Sequence, residues 1–144
     1  MKRVAVAGFF LVANIAGPAV AADCSALGGA MTGAQIQALL APGTGVYACY
    51  NNGSKRENNE TLLSGTTTGT VQEYHTGGTT VENEGSYTIS VTSPGVITYT
   101  YTSGAGPYAY NICVNPVSGT TYQFVNASNA NGYNIVISNG PGTC

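Results

Sequence analysis

Residues 85–144 contain no Asp, Glu, Lys or Arg, and through most of that stretch apolar and hydroxyl- or amide-bearing residues take turns. The alternation is cleanest over 87–92, 96–102, 108–114, 120–125 and 133–138. A period of two places alternate side chains on opposite faces of a β-strand, and the Tyr, Ile, Val and Thr that fill these runs suit a pleated, half-buried surface. One predicted face carries Tyr87, Ile89 and Val91, then Ile97, Tyr99 and Tyr101, then Tyr108, Tyr110 and Ile112, then Tyr122 and Phe124, then Tyr133, Ile135 and Ile137. The other carries Thr88, Ser90, Thr92, Thr98, Thr100, Thr102, Asn111, Gln123 and Asn134, neutral groups that water can satisfy. Turn residues separate the runs at 93–95, 103–107, 115–119 and 126–132. The expected fold is therefore all-β: an antiparallel meander whose one-sided sheet buries its apolar face by closing into a small barrel or sandwich.

The N-terminal segment follows a different rule. Lys2 and Arg3 precede an uncharged, mostly apolar stretch over 4–15, and Ala19-Val20-Ala21 supplies a small-x-small cleavage pattern. This is the layout of a signal peptide over 1–21, followed by a single disulfide-stabilised β domain over 22–144, with cleavage after Ala22 as the neighbouring alternative. An apolar run this short does not cross about 30 Å of hydrocarbon, and no later stretch is long and apolar enough to do so. The expected mature chain has no integral membrane segment and is secreted or at the cell surface, the periplasm being another destination. Its two basic residues, Lys55 and Arg56, stand against six acidic ones, giving a net charge of −4. Two adjacent cations cannot neutralise a run of phosphates, so a nucleic-acid partner is excluded.

Cys24, Cys49, Cys113 and Cys144 all lie in the mature part, and an even count in an exported chain reads as two disulfides. Their wide spacing and the presence of one histidine, His75, speak against a metal site. Four cysteines allow three pairings. In a meander, the runs ending near Val114 and Ser138 point the same way with one strand between them, so the tail can reach Cys113. The preferred pairing is Cys24 with Cys49 and Cys113 with Cys144.

A short helix is expected over 33–41. Thr32 can cap it, Ile36, Leu39 and Leu40 share one side, and Pro42-Gly43 ends it. So short a helix must dock to survive, and it is a candidate plug or lid for a barrel. The polar stretch 50–69, with Lys55, Arg56, Glu57 and Glu60, reads as an exposed loop. It contains two matches to the N-glycosylation pattern, at Asn52 and Asn59, with a third at Asn126; a chain rich in Asn, Ser and Thr produces such matches by chance.

The motifs Gln35-Ile36-Gln37-Ala38-Leu39-Leu40, Val46-Tyr47-Ala48-Cys49, Gln72-Glu73-Tyr74-His75 and Gly85-Ser86-Tyr87-Thr88-Ile89-Ser90 occur in that order before a Val/Tyr/Thr strand. In this the chain resembles a group of small exported bacterial β-rich proteins with a leader, a short helix, a Gln-Glu-Tyr-His strand and a meander. Members often carry Trp where this chain has Val71 and Tyr87, and Phe-Cys where it has Phe124-Val125. The resemblance implies export and fold class, and transfers no catalytic residue.

Three candidate features remain. Glu73 and His75 are two apart, so on a strand they share a face, the minimum for acid–base chemistry; no nucleophile or third orienting group accompanies them, and a structural hydrogen-bond pair is the expectation. Glu82 and Glu84 read as solvated edge charges that discourage pairing with other chains. Tyr99, Tyr101, Tyr108 and Tyr110 either pack a core with their hydroxyls at its rim or line a surface that stacks on a small ligand or sugar. A flat Thr array of the kind that meets ice lacks the fixed-period repeat it requires. The expectation is a non-enzymatic, cofactor-free structural or adhesive surface protein that self-associates through its uncharged β region. The alternatives are a small barrel binding an apolar or aromatic ligand, and an exported inhibitor acting through the loop 50–69.

Overall fold

A computed structural model describes residues 23–40, 46–51, 55–62, 67–75 and 80–139, without the side chains of 46–51, 55–62, 74, 75 and 139. The leader expected over 1–21, the helix-ending Pro42-Gly43 and Cys144 lie outside the described residues. Eight strands, β1 (Val46–Asn51), β2 (Lys55–Leu62), β3 (Thr68–His75), β4 (Asn83–Ile89), β5 (Ile97–Tyr101), β6 (Tyr108–Ile112), β7 (Thr121–Asn126) and β8 (Gly132–Asn139), follow one another as an antiparallel meander. β1 also pairs with β8, Val46 opposite Asn139, so the sheet closes into a barrel and every strand has two neighbours. Closure decides between barrel and sandwich, and it satisfies edges that a sandwich would leave open.

The alternation read from the sequence decides what the barrel contains. Val71, Tyr87, Ile89, Ile97, Tyr99, Ile112, Phe124, Ile135 and Ile137 are buried in one cluster. Thr68, Thr70, Ser86, Thr88 and Thr100 point outward and are exposed, and register pairs Thr68 with Thr88, Thr88 with Thr98, Thr70 with Ser86 and Ser86 with Thr100. This wall presents hydroxyls, unlike the apolar band of a lipid-facing barrel. Among the described residues no helix is long and apolar enough to cross a membrane. Tyr87 is fully buried because its register partner on β3 is Gly69: a Cβ there would overlap the Tyr87 ring, so the glycine supplies the space the ring fills.

The helix α1 (Gly33–Leu40) closes one end. Thr32 and Gln35 form a reciprocal capping box: the Gln35 N–H donates to Thr32 Oγ1 at 3.3 Å, and the Thr32 N–H donates to Gln35 Oε1 at 2.8 Å. Ile36 and Leu40, both fully buried, join Met31 in the same cluster as the barrel lining, so the helix is a plug. Its first residue, Gly33, lies so close to the Ser90 carbonyl and to Gly95 that a side chain at either glycine would clash with backbone. The plugged end is where β3, β5 and β7 begin and where β4, β6 and β8 finish.

The segment before the helix runs as a strap along β6. Met31 N–H donates to the Ile112 carbonyl at 2.8 Å, Val114 N–H to Gly29 at 3.0 Å and Asn115 N–H to Leu27 at 2.8 Å. The strap brings Cys24 to Cys113, and the two form a disulfide buried with Val125 against Leu27, Ala30 and Ala130. This overturns the preferred pairing: Cys24 bonds neither to Cys49 nor does Cys113 bond to Cys144. A meander alone does not encode the strap, which pairs with the end of β6 and so brings Cys24 to Cys113.

Two further expectations change. The stretch 50–69 is not one continuous loop: within it Lys55–Leu62 is a strand paired with β1 and β3. Its Lys-Arg-Glu-Asn-Asn-Glu run lacks a period of two, and what fixes it is backbone pairing on both sides, which sequence alternation does not report. Val91 leaves the core face and is 81% exposed. The Ser90 hydroxyl accepts a hydrogen bond from the Val96 N–H at 2.8 Å, turning the chain right after Ile89.

Candidate functional site: the open end

At the end opposite the helix the inward face changes character. Deep positions are Ile97, Ile112, Phe124, Ile135 and Ile137; toward the opening they give way to Tyr101 on β5, Tyr108 and Tyr110 on β6 and Tyr133 on β8. Tyr101, Tyr110 and Tyr133 each share the parity of a buried residue two along the strand, and Tyr108 that of Tyr110 and Ile112, so strand geometry aims all four inward. Tyr101 and Tyr108 meet edge to face at 6.2 Å and 62°, and Tyr110 and Tyr133 at 6.0 Å and 88°. Tyr99 lies directly opposite Tyr108 in the β5–β6 register and contacts Tyr110 at 6.1 Å and Tyr87 at 5.8 Å, joining the mouth to the core. Tyr108 is 41% and Tyr133 37% exposed, so the expectation that they are core residues is corrected: they stand at strand starts, where the wall ends.

The four tyrosines singled out from sequence thus come together, with unequal roles. Tyr99 is buried and backs the site, Tyr101 and Tyr110 are half-buried, and Tyr108 is open to solvent. Sequence reading assigned Tyr133 to the core and missed it as a site residue. It also missed Asn126, whose Oδ1 accepts from the Ser128 and Asn129 N–H groups at 2.9 and 3.2 Å, holding the β7–β8 turn while its side chain hydrogen-bonds Tyr110. An Asn at a strand end opposite a Tyr, as Asn126 lies opposite Tyr110, is the signal that could have found it. Burial, and next the neighbouring Tyr133 and Tyr108 phenols, push the Tyr110 hydroxyl above its ordinary value of 10.0.

On β3, Glu73 follows Val71 on the inward face and is only 6% exposed. Its register partners are Asn58 and Asn83, and its carbonyl accepts from the Glu82 N–H at 2.8 Å. His75 is the last residue of β3, opposite Arg56, and its side chain lies outside the described residues. Glu82 and Glu84 are exposed at this end, but they do not guard an edge: β4 is paired with β3 and β5 in the closed barrel. Cys49 sits on β1 opposite Val136, its side chain again outside the described residues. A groove of 330 Å³ lined by Asp23, Cys24, Ser25, Gly29, Ala30, Asn111 and Val125 lies on the outer wall, where the strap crosses β6 and β7.

The fold and site define a small closed β-barrel, stopped at one end by a capped helix and lined at the other, along β5, β6 and β8, by tyrosines. No family model, curated protein or solved structure matches the chain. A buried disulfide is compatible with an extracellular or periplasmic location.

Proposed function

We propose that this is an exported or cell-surface binding protein whose barrel takes one small, uncharged ligand with a ring or apolar face at its open end. The observation that carries the reading is the contrast between a mouth lined by partly exposed Tyr101, Tyr108, Tyr110 and Tyr133 and an opposite end filled by Ile36 and Leu40. An eight-stranded barrel is just wide enough to be filled by side chains or to hold one small ligand, and a concave apolar site with a few polar groups is what small ligands use. The chain contains no Trp, so its intrinsic fluorescence is that of its ten tyrosines, four of which lie at the mouth. Titration of the oxidised mature protein with the neutral probe N-phenyl-1-naphthylamine should quench that emission and saturate. Native mass spectrometry of protein from its own host should show one bound mass released on unfolding. Absence of both responses sinks the proposal.

A second reading is favoured by the outer wall. Thr68, Thr70, Ser86, Thr88, Thr98 and Thr100 form an uncharged hydroxyl lattice across β3, β4 and β5, a surface on which copies of the chain repel one another little. Barrel closure removes the strand edges through which such assembly usually proceeds, so this self-association is face to face. Light scattering on a size-exclusion column decides it: a strict monomer at high concentration eliminates assembly and leaves the ligand reading standing. Neither reading gives Glu73 or His75 a catalytic role, and His75→Gln is expected to leave fold and binding intact; loss of an activity without unfolding would show otherwise. With 55–62 forming a strand, an inhibitor that acts through a free loop at 50–69 loses its basis.

A further inference from the structure

We propose that the ligand of the open end is a neutral saccharide, an inference that rests on the ligand-binding reading and names its chemical class. The first support is that the rings at the mouth are all tyrosines: Tyr101, Tyr108, Tyr110 and Tyr133 are partly exposed and each carries a hydroxyl, whereas Phe124 is buried with Tyr87 and Tyr99. A site for a hydrocarbon gains most from Phe, Leu or Val, because each phenol brought against an alkyl chain must give up water. A sugar presents apolar C–H faces and hydroxyl edges together, the pattern that tyrosine matches with its ring face and its oxygen.

The ring geometry is the second support. At 62° and 88°, the Tyr101–Tyr108 and Tyr110–Tyr133 pairs each set one ring face beside the edge of the next. A flat pyranose can then lie on one face while its rim hydroxyls meet a neighbouring phenol. Neutral amides stand close by in sequence and register: Asn126 opposite Tyr110, and Asn83 at the start of β4.

Charge is the third. Residues 85–144, which supply Tyr101, Tyr108, Tyr110 and Tyr133, carry no Asp, Glu, Lys or Arg, the inward charge described on β3 is the acidic Glu73, and the expected mature chain's net charge is −4. The net negative charge repels a uronate, a sulfated sugar or a sialic acid at long range, although Lys55 and Arg56 begin β2 at this same end. Neutral hexoses and N-acetylhexosamines fit this mouth.

The test uses the full oxidised mature protein with cellohexaose, maltohexaose, laminarihexaose and chitohexaose, and N-phenyl-1-naphthylamine in parallel, read by tyrosine emission and saturation-transfer NMR. At least one hexasaccharide should bind. Tyr108→Ala and Tyr133→Ala should each weaken it roughly five- to tenfold, the loss expected of one stacked ring. Tyr108→Phe separates the chemistries: it keeps the ring and loses the hydroxyl, so saccharide binding weakens while naphthylamine binding holds or strengthens. If naphthylamine binds and no saccharide does, the saccharide class is wrong and the ligand-binding reading survives. If a saccharide binds equally to wild type and to both alanine variants, the sugar site is elsewhere and the inference fails. If nothing binds to a folded protein, both fail together.

Discussion

The two ends of the barrel are built from the same alternating strands and end up with opposite properties. At one, Ile36 and Leu40 of α1 complete the apolar cluster; along the outer wall Cys24–Cys113 clamps the strap against Val125 and Ala130. At the other, the inward positions carry Tyr101, Tyr108, Tyr110 and Tyr133, and half of these rings reach solvent. The plugged end is thus built from fully buried side chains and the open end from partly exposed rings. The difference predicts that substitutions at the plug cost folding free energy, whereas substitutions at the mouth cost binding and little else.

The largest effect should come from the clamp. The disulfide encloses a sequence separation of 89 residues, and a loop of that size is worth about 4 kcal/mol of constraint on the unfolded chain. Cys24→Ser with Cys113→Ser should lower the denaturant midpoint by a corresponding amount; an unchanged midpoint would mean that the strap and plug hold without their covalent tie. Since Cys24–Cys113 is formed, the pairing compatible with two disulfides joins Cys49 to Cys144, and peptide mapping of the exported chain under non-reducing conditions should return that linkage. Next in size is Ile36→Ala. It empties a fully buried site between helix and barrel and should cost about 3 kcal/mol. A loss below about 1 kcal/mol would mean that the helix is a loosely seated lid.

How much of this contrast could be read from the sequence follows from what alternation does and does not encode. The face assignment over β4 to β8 is written in the order of residues, because Tyr, Ile and Phe at every second position have one way to be buried together. Thr32 and Gln35 likewise announce the helix start, since a capping box is a local device three residues long. β2 is illegible for the opposite reason: its strand state comes from two neighbours distant in sequence, and its own residues, Lys55 through Glu60, prefer no strand face. The disulfide map fails in the same way, because the strap's pairing with β6 spans most of the chain. In the candidate site, the tyrosines on β5 and β6 were visible as aromatics, but which end of the barrel is stopped by the helix, and so which rings stay open, is a property of closure.

At the mouth the expected stability effects are small. Tyr108→Ala and Tyr133→Ala remove rings that are 41% and 37% exposed, so each should shift stability by about 1 kcal/mol or less. A loss comparable to that of Ile36→Ala would show that the rings are a structural layer, and the distinction between a stopped and an open end would collapse. Tyr99→Ala is the internal control. Tyr99 is buried and bridges Tyr87 to Tyr110, so it should behave like a plug residue, at about 3 kcal/mol, although it lies on the same strand as Tyr101.

The smallest effect concerns a proton. Burial, with the Tyr133 and Tyr108 phenols beside it, raises the Tyr110 pKa above 10.0 in the folded protein. The unfolded phenol titrates near its ordinary value, so the folded state holds this proton more tightly than the unfolded one. Linkage then fixes the sign: the contribution of Tyr110 is fully present below about pH 10 and is lost as pH rises through the folded pKa. Tyr110→Phe has no proton to lose, so its stability should fall less steeply above about pH 10 than that of wild type. Ultraviolet titration of phenolate in the folded protein should also lose one tyrosine that ionises above its ordinary value in this variant. Should the variant and wild type trace the same alkaline limb, the hydroxyl is as well hydrated as a surface phenol, and the mouth is wider and wetter than its ring contacts imply.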